Sequence, residues 1–397
     1  MKSGQYRWMA LMVGCCWLAG IYSYGLHAAS VDPPLIAKDT GLLRKPALII
    51  TSNYYCSKFV RHTPKLTNRT GQLVQGGEIG FHLQTFGKRD WQVFHRFPAL
   101  GASAIWLHPG AGAHGNLIGV FPHLTIPLMR FGRSGIFFRV GSGIGWATRP
   151  YNAFTNATEN ALGVHWNNVT QFRLGGECAV IPHWRASFGV VLTHFSNGGY
   201  ALPNFGMNIP GGFAGIVYAP HFSGKSDLPK LLVQKRPTRR WGTTLQAGMA
   251  RIEYVSVDGP KYAVWILSGA ITFKVHKFNR LALGMDWEKN NGVKAWLLNN
   301  TLLPGGRSAA DKGAQRTGVF LADEFFFGRL GIYIQASCHV GDEPRNSLAL
   351  SRNYNKLGFR YYFPVAPISP TKIYLGISLK AYKGVAECIA FHSGIDF

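Results

Sequence analysis

The feature that most constrains this chain is a period of two. From about residue 77 onward, apolar residues recur at alternate positions in short segments separated by Gly, Pro, Asn and Asp clusters. Successive side chains of an extended strand leave opposite faces, so this alternation builds strands with one apolar and one polar face. Ile136, Phe138, Val140, Ile144 and Trp146 share one face, and Arg139, Gly141, Gly143 and Gly145 share the other. Leu330, Ile332, Ile334 and Ala336 alternate with Arg329, Tyr333, Gln335 and Ser337. Ile373, Leu375, Ile377 and Leu379 alternate with Lys372, Tyr374, Ser378 and Lys380. Glycine-rich pieces such as Gly141-Ser142-Gly143 lie inside these strand patterns and open no helix, which disfavours a nucleotide-binding turn.

A soluble sandwich alternates too, and connection lengths help to separate it from a membrane barrel. The connections near residues 129–133, 179–183, 276–278, 326–328 and 364–370 are short, whereas those near 108–116, 148–159, 290–314 and 340–352 are long. Alternation of short periplasmic turns with long outer loops belongs to outer-membrane barrels. After residue 30 no apolar run approaches the roughly 20 residues of a spanning helix. The chain closes on Ser393-Gly394-Ile395-Asp396-Phe397, with an aromatic where an interfacial girdle would stand. We therefore expect an all-β fold, an antiparallel transmembrane β-barrel of 12–16 strands with 14 favoured, over residues 76–397. Residues 30–75 stay unassigned, with a weak strand signal at Ala47–Thr51. One segment breaks the alternation: His221–Arg240, rich in Lys and Arg, is long yet falls on the short-turn side.

Residues 1–29 read as a signal peptide, with an apolar run from Trp8 to about Tyr22 and small residues at Ala28 and Ala29. Export reverses the usual meaning of the charge, +24 from 42 Lys and Arg against 18 Asp and Glu. Nucleic acid is not the expected partner. Phosphorylated lipid headgroups at a membrane surface would suit the charge, and so would a solvated basic surface with no ligand. Past the signal, Cys56, Cys178, Cys338 and Cys388 form no CxxC pair, so zinc is disfavoured, while disulfides and isolated thiols both stay open. His108 and His114 bracket a Gly-rich loop without a third ligand at sensible spacing, so no metal is expected.

Chemistry concentrates in Thr193-His194-Phe195-Ser196-Asn197-Gly198-Gly199, followed by Pro203-Asn204-Phe205-Gly206-Met207-Asn208. His194 and Ser196 are two apart on an extended chain, so both side chains leave one face and can pair as base and nucleophile. The same parity groups them with Trp184, Ala186, Phe188, Val190 and Leu192, the apolar row expected to face lipid. Arg185, Ser187 and Thr193 point the other way. A lipid ester would then arrive sideways from the bilayer.

Through His194-x-Ser196-Asn197, Pro203-Asn204 and Gly206, the sequence resembles the bacterial outer-membrane lipid A 3-O-deacylases and related acyloxyacyl hydrolase-like barrels. The resemblance is best over about Val120 to Tyr218. It implies Ser196 as nucleophile, His194 as general base, and Asn204 with backbone N–H groups near Asn197 as oxyanion hole, with no cofactor. It also implies lipid A or lipopolysaccharide in the bacterial outer membrane as partner, and removal of an ester-linked acyl chain as reaction. The family places a Glu twelve residues after the serine, where this chain has Asn208; an amide there still fixes the histidine tautomer. An outer-membrane phospholipase A, whose family shares that Asn, is the alternative, although this chain has no arginine after Asn197-Gly198. A non-enzymatic porin or structural barrel is the third reading.

Overall fold

The computed structural model describes residues 47–68, 70–110, 114–132, 134–220, 239–299, 306–341, 352–366, 369–382 and 385–397. The expected signal peptide lies outside them. Eight antiparallel strands form the first sheet: β1 (Ala47–Lys58), β2 (Leu73–Gln84), β3 (Ala99–His108), β4 (Leu117–Phe131), β5 (Ser134–Ala147), β6 (Trp166–Ile181), β7 (Trp184–Ser196) and β8 (Met207–Tyr218). Each pairs with its sequence neighbour, and β8 returns to β1 to close a barrel, Ile50 opposite Tyr218 and Ser57 opposite Gly211. The second sheet comprises β9 (Trp241–Glu253), β10 (Lys261–His276), β11 (Asn279–Asn290), β12 (Gln315–Phe327), β13 (Leu330–Val340), β14 (Asn353–Pro364), β15 (Lys372–Tyr382) and β16 (Val385–Asp396). It closes through β16 and β9, with Phe391 opposite Met249. Among the described residues three short helices lie in connections: α1 (Asp90–Phe94), α2 (Asn291–Asn299) and α3 (Gly306–Gly313). No helix among the described residues is long and apolar enough to cross a membrane.

Both barrels carry exposed apolar rows outside and buried polar groups inside, the inverse of a water-soluble sandwich. On β2, Ile79, Phe81 and Leu83 are exposed while Glu78 and His82 are buried. An eight-stranded barrel is just wide enough for its inward side chains to fill. In the first barrel the buried Glu78 carboxylate accepts from Arg139 (2.6 Å), Arg173 (2.5 Å) and Tyr55 (2.5 Å). In the second, Glu324 accepts from Arg280 (2.9 Å), Arg360 (3.1 Å) and Tyr362 (2.7 Å), and Asp286 accepts from Lys356 (2.7 Å). Buried charges persist only when paired and hydrogen-bonded, and these are.

Three expectations change. A single barrel of 12–16 strands, with 14 favoured, becomes two closed sheets of eight, 16 strands among the described residues, because alternation specifies strands and not which distant strands pair to close. The barrel begins at Ala47 and not at 76: the weak Ala47–Thr51 signal opens β1, paired with both β2 and β8. The anomalous His221–Arg240 segment joins the last strand of one closed sheet to the first of the next, so its length on the short-turn side breaks no rule. Most of it, 221–238, lies outside the described residues. The chain correspondingly divides into two compact units, 1–196 with 205–233, and 197–204 with 234–397. Cys56, Cys178, Cys338 and Cys388 are free thiols on β1, β6, β13 and β16, which resolves the question of pairing that the sequence left open.

Candidate active site

Strand parity and hairpin register assemble the centre of the site in the first unit. On β7, Trp184, Phe188 and Val190 are exposed, while Arg185, Ser187, Val191 and Thr193 are buried, so the faces are as parity assigns them. His194 and Ser196 follow on the outward parity, and the Ser196 hydroxyl meets His194 Nε2 at 3.0 Å. Across the β7–β8 pair the residue directly opposite His194 is Asn208, the second residue of β8. Its Oδ1 lies 2.6 Å from His194 Nδ1. An amide oxygen only accepts, so Nδ1 carries the proton, and Nε2 is left as the acceptor for the serine O–H. This is the tautomer a general base requires.

The centre is not open on the lipid face, contrary to the expected sideways approach. Ser196 is 1% exposed and His194 9%, whereas Val190 on the same row is 61% exposed. The row is covered at its end because the chain after β7 folds back before entering β8. Gly206 sits against the imidazole at φ +77°, and a Cβ there would stand 2.8 Å from His194 Cε1. That return is held by loops the sequence did not mark. Gly206 N–H donates to Ala161 O (2.9 Å), Phe205 N–H to Asn160 O (3.3 Å), and Val60 N–H to Asn208 O (3.1 Å). His62 Nε2 lies 2.8 Å from Phe205 O, and burial holds that imidazole below its ordinary range, so it is neutral at pH 7. Behind them the buried Glu159 accepts from Ala161 N–H (3.0 Å) and meets His114 Nδ1 at 2.6 Å. His114 thus belongs to a structural cluster, while His108 turns to Asn116 Oδ1 at 2.8 Å. Nothing in the local sequence announces these roles, since His62 acts through the backbone of the distant Phe205 and Glu159 pairs with the distant His114.

Asn197 and Asn204 lie in the segment that folds with the second unit. Asn197 N–H donates to Asn204 Oδ1 at 2.9 Å, so this N–H is engaged within the loop. The other end of the same amide, Asn204 Nδ2, is buried without a hydrogen-bond partner. A buried amide nitrogen of this kind is costly unless something accepts from it. Among the described residues no group of three or more His, Cys, Asp or Glu is placed to hold a metal ion.

Two family models match the chain. One, described as lipid A 3-O-deacylase (PagL), covers residues 75–216, and the other, acyloxyacyl hydrolase, C-terminal domain, covers residues 239–397. No curated protein matches. Among solved structures, CdiB from Acinetobacter baumannii is similar at 12% identity over 89% of this chain and 60% of that one, with a TM-score of 0.18. This chain therefore spans less than two thirds of that relative's length. Acinetobacter baumannii OccAB3 is similar at 10% identity over 90% and 99% of the two chains, with a TM-score of 0.23. Pseudomonas aeruginosa OccK9 (OpdG) is similar at 9% identity over 89% and 97%, also with a TM-score of 0.23.

Proposed function

Because this chain belongs to the lipid A 3-O-deacylase and acyloxyacyl hydrolase-like family, we propose that it removes an ester-linked acyl chain from lipid A in the outer membrane, with Ser196 as nucleophile. The observation that carries the assignment of residues is the linear relay Ser196 Oγ, His194 Nε2, His194 Nδ1, Asn208 Oδ1, at 3.0 and 2.6 Å, inside the matched deacylase region.

Ser196 Oγ attacks the ester carbonyl while its proton passes to His194 Nε2, leaving an oxyanion and an imidazolium. The imidazolium keeps its Nδ1–H on Asn208, which orients the ring but adds no counter-charge. By the family resemblance, Asn204 and backbone N–H groups near Asn197 supply the oxyanion hole; one such donor contributes about 3 to 4 kcal/mol. Collapse of the intermediate sends the Nε2 proton to the departing sugar oxygen and leaves an acyl-serine. Water then attacks that ester with His194 again as base, releasing the fatty acid. No cofactor enters the cycle.

The neutral Asn208 is the observation that favours a second reading, phospholipase A chemistry on glycerophospholipid esters with the same triad. Mass spectrometry of lipids from cells expressing the chain separates the readings. Lipid A lacking one ester-linked acyl chain is the expected product, lysophospholipid would favour the second, and unchanged lipids beside a folded protein would leave a structural barrel.

A further inference from the structure

We propose that the first barrel binds a phosphate dianion in a buried cavity at its short-turn end. Every residue that carries the inference lies within the first unit, and none belongs to the Ser196 centre. The cavity is about 80 Å³ and reaches the β4–β5 turn at Gly132. A water molecule needs roughly 10 to 15 Å³ of such space, so the cavity has room for several waters or for one tetrahedral oxyanion. Arg185, near the start of β7, is part of its wall. At roughly 3.3 Å per residue along a strand, the step from Arg185 to His194 spans about 30 Å, which makes this a place separate from the catalytic pair.

Four consecutive strands bring a guanidinium to this space: Arg130 of β4, Arg139 of β5, Arg173 of β6 and Arg185 of β7. Glu177 of β6 lines it too and pairs with Arg185 at 2.9 Å. Beside the cavity, Glu78 of β2 pairs with Arg139 at 2.6 Å and with Arg173 at 2.5 Å. Among these described groups, four positive charges stand against two negative ones, in a lumen where charge needs compensation.

Two donors in the cavity wall show more directly what that compensation is. Arg173 is 2% exposed; its Nη2 donates to Glu78, but its Nε–H has no acceptor. Asn53 of β1 is 4% exposed; its Oδ1 accepts from Ser187 Oγ at 3.4 Å, but its Nδ2 has no acceptor. The Arg173 guanidinium lies 5.0 Å from the Tyr55 ring centroid and 4.5 Å from that of Phe213, contacts that hold its N–H fork in place. A buried donor left without an acceptor is destabilising, so the group that satisfies these two is rich in acceptors and negative. A phosphate fits on both counts: it is close to doubly charged near neutral pH, and its oxygens suit the guanidinium fork. Because the cavity lies in the barrel's lumen, the ligand enters as a free anion and not as a headgroup held in the surrounding bilayer.

The test uses the full-length protein folded in zwitterionic detergent micelles and titrated calorimetrically with inorganic phosphate at constant ionic strength. A single phosphate should bind per chain, and the unfolding midpoint should rise with phosphate concentration. Asn53→Asp places a carboxylate where the amide donor stands and should weaken binding about tenfold or more through like-charge repulsion. Arg173→Lys keeps the positive charge but loses the fork, and should weaken binding about as much. Ser196→Ala should bind phosphate as wild type does. No binding by the wild-type chain, an affinity unchanged in both cavity variants, or the same heat from chloride at equal ionic strength would overturn the inference. Displacement of bound phosphate by phosphatidic acid in mixed micelles would overturn the free anion as the ligand.

Discussion

His194 stands between two hydrogen bonds that arise from different parts of the chain's geometry. Its bond to Ser196 follows from strand parity, and its bond to Asn208 follows from the register that sets the two residues opposite each other across β7 and β8. Asn208 is therefore replaceable in a telling way. Asn208→Ala should lower kcat at least about tenfold by freeing the tautomer, while Asn208→Glu should match or exceed the wild-type rate by placing a charge beside the imidazolium. Steady-state kinetics on both variants check this, and an inactive Glu variant would count against Asn208 as the orienting group. Gly206 is constrained by space and not by chemistry. Gly206→Ala adds a methyl 2.8 Å from His194 Cε1 at a φ of +77°, and should cost about 10- to 100-fold in kcat through a displaced ring. A heat-modifiability gel would show the barrel itself retained.

At the scale of the element, β7 does two jobs along one row of side chains. Its first part presents Trp184, Phe188 and Val190 outward, and its last places the buried His194 and Ser196, the proposed catalytic pair, on the same parity. Val190 stands near the strand's midpoint and is 61% exposed, so Val190→Arg puts a charge against the hydrocarbon core and should cost about 2 to 4 kcal/mol. Denaturant titration in lipid vesicles measures the loss, and a variant as stable as wild type would mean that this face does not meet lipid. The inward row explains why such strands tolerate charge at all: Glu78 on β2 faces two guanidiniums, and each partner removes the cost of burying the other.

At the scale of the whole molecule, sixteen strands among the described residues form two closed sheets of eight. A protease site inserted between residues 221 and 238, cut after folding, should leave both backbone ladders complete. Unheated gel electrophoresis should then show folded, heat-modifiable fragments, whereas a collapse of both would indicate one shared sheet. The sequence by itself determined the strands, the outward apolar face, and the pairing of His194 with Ser196, because a period of two is a local property that each segment states alone. Through residues 194 to 208 it also carried the resemblance to lipid A 3-O-deacylases, whose family model matches residues 75–216. It did not reveal two barrels, and the expected single barrel was wrong, since closure depends on β1 meeting β8 and β16 meeting β9, strands far apart in sequence. It also marked the long, basic 221–240 segment as an anomaly without saying that it separates two sheets. Only the tertiary structure showed His194 covered by Gly206, with Glu159 and His62 supporting that cover. Those contacts run through backbone N–H and C=O groups, which every residue carries and no sequence pattern distinguishes.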